Sequence, residues 1–341
     1  MNASLRGEPV PIRQVPTAPP PALSVVAPCY NEEESLPAFV ARMTAACRAV
    51  AGESFELLLI NDGSRDSTWL QIQRLTETTP GVVGINLARN YGHQLAVTAG
   101  LKFARGDRVL VIDADLQDPP ELLAELSARM DEGYDVVYAQ RRTRAKESAF
   151  KLFTADLFYR LLGGMAEVPI PRNVGDFRLM SRRAVDRLNA MPEQDRFLRG
   201  MVAWMGGRQT EVLYDRDPRF AGQTGYTLQK MVKLATAGIT SFSTVPLKLA
   251  VVLAGAGAAI AFALLLYVLV GFFTGHVARG WTSLAAMMVF FSVGQFLCLA
   301  VMGAYIGRIF LEVKARPLYF IDDVVRGDET QPASSVREAN G

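Results

Sequence analysis

Two stretches near the end of the chain contain no charged residue: Leu249 to Phe273 and Trp281 to Gly307. A helix crosses the hydrocarbon core of a bilayer with roughly 20 apolar residues, so each stretch is long enough to span. The alternative is a helical hairpin buried in a soluble domain. Gly255, Gly257, Gly294 and Gly303 suit close helix contact in lipid and favour the membrane. Lys230, Lys233 and Lys248 precede the first stretch; Arg308, Lys314 and Arg316 follow the second. Basic residues collect on the cytoplasmic side of a membrane. Both ends are therefore expected in the cytoplasm, with the short linker TGHVARG outside.

The rest of the chain must supply any chemistry. Of 341 residues, 50% are hydrophobic and 21% charged, enough for a sizeable core. A net charge of +2 argues against a broad nucleic-acid-binding surface. The three cysteines, Cys29, Cys47 and Cys298, show no CxxC spacing and support neither a disulfide framework nor a zinc site. With only His93 and His276, histidine metal clusters and Ser-His-Asp triads are disfavoured. Any metal must be held by oxygen, which points to Mg²⁺ or Mn²⁺. Residues 1–22 hold six prolines and no apolar core of a signal peptide, and read as a disordered lead-in.

From Leu23 the pattern alternates. LSVVAP, FELLLIND, VVGINLAR and DRVLVIDAD read as strands. Helices are expected over about Glu33–Val50, Ser67–Thr78, Gln94–Ala104 and Pro120–Asp131. Such alternation implies an α/β fold, a mostly parallel sheet with helices on both faces. Ligands on such sheets bind beyond the carboxyl ends of the strands. The acidic clusters Asn31-Glu32, Asn61-Asp62 and Asp113-Ala114-Asp115 fall at those ends. Further on, Leu228, Met231, Val232, Ala235, Ile239 and Phe242 recur at helical spacing. Next to a span, this stripe reads as an interfacial helix, against the alternative of a core-facing one.

Asp113 and Asp115 give the strongest chemical signal. Two carboxylates one residue apart, past an apolar strand, need a cation to offset their repulsion, and a divalent metal carrying a diphosphate supplies it. Asp118, before Pro119-Pro120-Glu121, reads as a helix cap. Asp62 at a strand end can accept from a base or ribose, with Gly63 allowing the turn. Asp66 reads as a helix cap, and Glu33 and Glu34 as favouring a helix N-terminus. Pro28, Tyr30 and Glu32 offer an aromatic face and polar groups to a nucleoside.

Taken in order, PCYNEEE, NDGSRDST, NYGH, DADLQDPPE and GDFRL resemble glycosyltransferase family two, with its GT-A fold. The two apolar stretches narrow the resemblance to the polyisoprenyl-phosphate glycosyltransferases, over roughly Leu23 to Tyr319. It implies a nucleotide-sugar donor, a polyisoprenyl phosphate acceptor, membrane lipid as a partner, and a homo-oligomer, a tetramer by analogy. It implies that Pro28, Tyr30, Glu32 and Asp62 hold the nucleoside. Asp113 and Asp115 would hold metal and donor, with Gln117 a further metal contact. Asp176 matches the family's active-site carboxylate near the acceptor; an ion pair to Arg178 or Arg182 is its plainer reading. Arg141, Arg142, Arg216 and Arg219 are candidates for the acceptor phosphate, against the alternative of solvated surface charges. Many relatives carry Lys where this chain has Gly225, so one phosphate contact is lost or is replaced by Lys230.

The expected organisation is a lead-in at 1–22, a GT-A catalytic domain at 23–226, amphipathic juxtamembrane helices at 227–247, a two-helix transmembrane hairpin at 248–310 and a cytoplasmic tail at 311–341. The expected reaction is metal-dependent, inverting transfer of a hexose, first UDP-glucose, to undecaprenyl phosphate. A processive polysaccharide synthase of the same fold would carry QxxRW; Trp69, Trp204 and Trp281 have no such context. A non-catalytic scaffold would be expected to have lost its carboxylates. No GxGxxG follows the first strand, which excludes a Rossmann dehydrogenase.

Overall fold

The computed structural model describes residues 19–142, 174–215, 245–274 and 280–327. Arg216, Arg219, Gly225, Lys230 and the stripe from Leu228 to Phe242 lie outside them. The chain begins β1 (Leu23–Cys29), α1 (Leu36–Ala51), β2 (Phe55–Asn61), α2 (Thr68–Thr78), β3 (Val82–Leu87), α3 (His93–Phe103), β4 (Arg108–Val111). A 3₁₀ turn at Pro120–Leu122 leads into α4 (Leu123–Asp131) and β5 (Val136–Arg141). Then come β6 (Val174–Ser181), α5 (Arg182–Ala190), α6 (Leu198–Trp204), β7 (Gln209–Tyr214), α7 (Val245–Phe273), α8 (Trp281–Lys314) and β8 (Ile321–Arg326).

One sheet joins all eight strands in the order β7-β5-β6-β4-β1-β2-β3-β8. Strands β4, β1, β2 and β3 run parallel, as the alternation implies. Strand β6 is antiparallel to both β4 and β5, and β8 is antiparallel to β3. The α/β expectation therefore holds, with a mixed, mostly parallel sheet. Side chains alternate across it. Val25 and Ala27 of β1 pack with Phe39, Met43, Ile72 and Leu126 from α1, α2 and α4. Val26 points to the other face, with Val97, Leu101, Val185 and Met201 from α3, α5 and α6. At Gly100 a Cβ would sit 2.3 Å from the Val26 side chain, so a residue without one lets α3 lie against the sheet.

Three local expectations shift. Helix α1 starts at Leu36 because Glu32 closes a turn first: its carbonyl accepts from the Ser35 and Leu36 amides, and its carboxylate accepts from Ser35 Oγ at 2.6 Å. Asp118 is not a helix cap. Pro119 holds that position before the 3₁₀ turn, with no side-chain cap bond, while buried Asp118 accepts from Tyr214 Oη and faces Arg141. Glu33 serves the other helix, accepting from Ser67 N at 3.0 Å ahead of α2.

The transmembrane hairpin of two crossing helices is also corrected. Among the described residues one helix is long and apolar enough to cross a membrane, over Phe290–Lys314 of α8. Among the described residues of α7, which runs from Val245 to Phe273, the apolar run counted is Ala250–Leu264. The two helices touch: the Cys298 thiol is 3.6 Å from the Ala250 carbonyl oxygen. Beyond α8, where a tail was expected, the chain returns to the sheet as β8 and pairs Ile85 with Val324.

Candidate active site

The carboxyl ends of β1, β2 and β4 and the start of α3 enclose a cavity of about 260 Å³. Pro28, Tyr30, Glu32, Asp62, Asp113 and Asp115, drawn from three separate motifs, all line it. The parallel register makes this happen. Cys29 pairs with Asn61, and Val26 with Val111, so each motif leaves its strand at the same edge.

Loops around the cavity are braced by one another. Asp62, 3% exposed, accepts from the Tyr91 amide at 2.7 Å and the Gly92 amide at 2.9 Å. Its carboxylate therefore shapes the wall ahead of α3 as well as facing the cavity. Gly63 beside it has φ +64°, and a Cβ there would lie 2.5 Å from Asn90 N. Only glycine fits so close an approach in that conformation. Asp66 accepts from Thr68 N at 3.1 Å, satisfying an amide at the start of α2, and from Glu33 N at 3.3 Å. Tyr30 is left 42% exposed, with its ring open to a ligand.

Asp115 is buried and accepts from Gln117 N at 3.1 Å, so the structure gives Gln117 a backbone contact to the acid pair. Asp113 Oδ1 is buried with no hydrogen-bond partner. Burial, with the nearby carboxylates of Asp176, Asp118 and Asp115, raises its pKa to about 6 despite the opposing effect of His93. A buried carboxylate oxygen without a hydrogen bond, among other carboxylates and faced by His93, fits a place for positive charge. Among the described residues no three His, Cys, Asp or Glu side chains converge on one point, so a metal here would need ligands from the donor.

Asp176, on β6, is the most heavily braced group. Oδ1 accepts from Arg178 Nη2 at 3.1 Å and Arg199 Nε at 3.2 Å. Oδ2 accepts from Gln94 Nε2 at 3.2 Å and lies 3.1 Å from His93 Nε2. Burial opposes its charge, but Arg199, His93 and Arg178 outweigh burial and hold its pKa well below the usual carboxylate range. His93 stands between two acids, with Asp113 Oδ1 at 3.7 Å. Burial lowers its pKa, yet Asp176 and Asp113 raise it to about 9. Both acids favour its protonated form. The ion pair read for Asp176 is present with Arg178; Arg182 instead donates to the carbonyls of Ala104 and Gly106.

The arginines after β5 part ways. Arg141 Nε donates to Tyr214 Oη at 3.3 Å, and its guanidinium faces buried Asp118 at 3.8 Å. Arg142 is exposed and pairs loosely with Asp215 at 3.8 Å. Sequence reasoning missed His93, Gln94 and Arg199 as members of the site. NYGH and the scarcity of histidine were the available signals for His93; Arg199 had none.

A family description, glycosyl transferase family 2, matches residues 24–188. An uncharacterized glycosyltransferase of Synechocystis is 43% identical over 89% of this chain and 95% of its own. A bactoprenol glucosyl transferase of Shigella phage SfII is 38% identical over 90% of this chain and 99% of its own. Among solved structures, a mannosyltransferase of Pyrobaculum calidifontis in complex with GDP-Man and Mn²⁺ covers 88% of this chain and 91% of that one, at 18% identity and a TM-score of 0.42. With relatives aligned along nearly their whole length and the motifs gathered at one sheet edge, the chain belongs to glycosyl transferase family 2 and is a glycosyltransferase.

Proposed function

We propose that the protein transfers a hexose, glucose in the first instance, from UDP-glucose to undecaprenyl phosphate at the cytoplasmic face of a membrane. The observation that carries this reading is the acid pair Asp113–Asp115 at the mouth of the strand-end cavity, with Asp176 next to it across His93. The phage relative named bactoprenol glucosyl transferase, matched over 99% of its length, supports the lipid acceptor. Helix α8, apolar and unburied, supports membrane attachment.

In this reading Tyr30 lies against the base, while Glu32 and Asp62 take the ribose and base edges. Asp113 and Asp115, with Gln117 beside them, would hold Mg²⁺ or Mn²⁺. That ion, when bound, neutralises charge on the donor's diphosphate. The acceptor phosphate is already an anion, so no deep general base is needed. Its oxygen forms the bond to the anomeric carbon, and the nucleoside diphosphate departs with the electron pair of the broken C–O bond, inverting the centre. Arg141 is the described candidate for steering that phosphate, with Arg142, Arg216 and Arg219 as further candidates. Asp176, kept ionised by its arginines, stabilises positive charge developing on the sugar ring, and His93 donates toward the departing diphosphate.

The test is to incubate membranes holding the protein with a panel of radiolabelled nucleotide sugars and undecaprenyl phosphate. Label from UDP-glucose should enter the lipid fraction in an acid-labile form. Label from another donor would correct the sugar. No lipid-borne label from any donor would refute the acceptor.

A further inference from the structure

The last turns of α8 do not end free. Glu312 accepts from the Gln194 amide through both oxygens, at 3.0 and 3.1 Å, and lies 3.5 Å from the Asp195 amide. One turn earlier, Arg308 pairs with Asp195 at 3.2 Å. These contacts hold the segment joining α5 to α6. Its other side is fixed by buried Arg196, which donates to the carbonyls of Leu188 and Met191 at the end of α5.

The segment's next residues enter the active site. The Leu198 amide donates to Gln94 Oε1 at 3.0 Å, and Gln94 Nε2 in turn donates to Asp176. Arg199 follows and grips both oxygens of Asp176, at 3.2 and 3.4 Å. Arg199, whose guanidinium grips Asp176, thus lies five positions after an amide held by the apolar helix. We propose that Glu312 is a positioning residue: through Gln194 and Asp195 the apolar helix sets where Arg199 meets Asp176. The inference rests on the role given to Asp176 above. A carboxylate accepting from backbone amides is a strong, directional contact. It fixes a loop better than the apolar faces of α8 could, since none of these is buried against the domain.

The experiment uses the full chain in lipid nanodiscs and compares Glu312→Ala, Glu312→Gln and wild type. Hydrogen exchange is followed over 193–199, with transfer kinetics and thermal midpoint alongside. Exchange in Glu312→Ala should rise through Leu198 and Arg199, beyond the two amides that lose their acceptor. The kcat should fall about tenfold, as displacement of a reacting-site group implies, with the KM for nucleotide sugar within about twofold. Glu312→Gln keeps one carbonyl acceptor and should recover most of the rate. Unchanged kinetics, a rate loss with exchange at 198–199 unaltered, or a loss that follows the thermal midpoint and is not rescued by Gln would each overturn the proposal. If wild type moves no sugar to the polyprenyl phosphate, the functional reading fails separately. Exchange at 198–199 then decides the positioning role alone.

Discussion

At the scale of single residues the site is a balance of charge. Asp113, Asp115 and Asp176 gather near one cavity edge, where among the described residues His93, Arg178 and Arg199 offset Asp113 and Asp176. Removing one acid should therefore weaken metal binding more than folding. Asp113→Asn or Asp115→Asn is expected to lower kcat by at least about 10²-fold, the loss typical of a main electrostatic stabiliser. EDTA should abolish transfer and Mg²⁺ or Mn²⁺ restore it in wild type; full rate in chelator would refute the assignment. His93 gives a pH signature. Its folded pKa of about 9 lies above the ordinary 6.5, so its stabilising effect is full below pH 6.5 and lost as pH rises through 9. In metal-free protein the melting gap between wild type and His93→Gln should be widest near pH 6 and close by about pH 10. Its side chain is 39% exposed, so the gap should stay below about 1 kcal/mol. Pro28, Tyr30, Asp62 and the acid pair were legible in the sequence because each sits within a few residues of a strand end. Arg199 was not, because only the tertiary fold brings a short helix's first turn to β6.

Elements behaved according to how local their signals are. The parallel strands β1 to β4 announce themselves through continuous apolar runs, the mark of a strand buried on both faces. Strand β6 hides: Asp176 and Arg178 interrupt VGDFRLMS, and each is tolerated inside the sheet because it pairs with the other at 3.1 Å. Strand β8 hides for another reason. IDDVVR is short and polar, as suits a sheet edge, and nothing local says that it pairs with β3. Helix α3 depends on a missing side chain. Gly100→Ala should push α3 off Val26 and Ile60, costing about 1–3 kcal/mol by overpacking. Because α3 opens with His93 and Gln94, the variant should also transfer more slowly. Urea denaturation and initial rates measured on one preparation would check both, and a variant as stable as wild type would show that the helix shifts freely.

For the molecule as a whole, the apolar helix α8 and the sheet are one continuous structure. The chain leaves α8 at Lys314, and Phe320 O accepts from Ala88 N before β8 pairs along β3. Asp322 reaches Asn86 at 3.4 Å, and Asn86 accepts from Asn61 at the root of the Asp62 loop. Truncation after Arg316 should therefore expose β3 as an unpaired edge, lower the thermal midpoint by several degrees and weaken nucleotide binding, measured by scanning calorimetry and nucleotide titration. A truncated chain with wild-type melting and binding would reduce β8 to an ornament of the edge.

Strand β8 also fixes an order of events during synthesis. The ribosome makes β1 to β7 first, then the apolar helix, and only afterwards the six residues that close the sheet. Until those emerge, the nascent domain carries a bare β3 edge. A chain cut or halted between α8 and β8 keeps that edge bare, and an unpaired strand is a template on which other chains can pair.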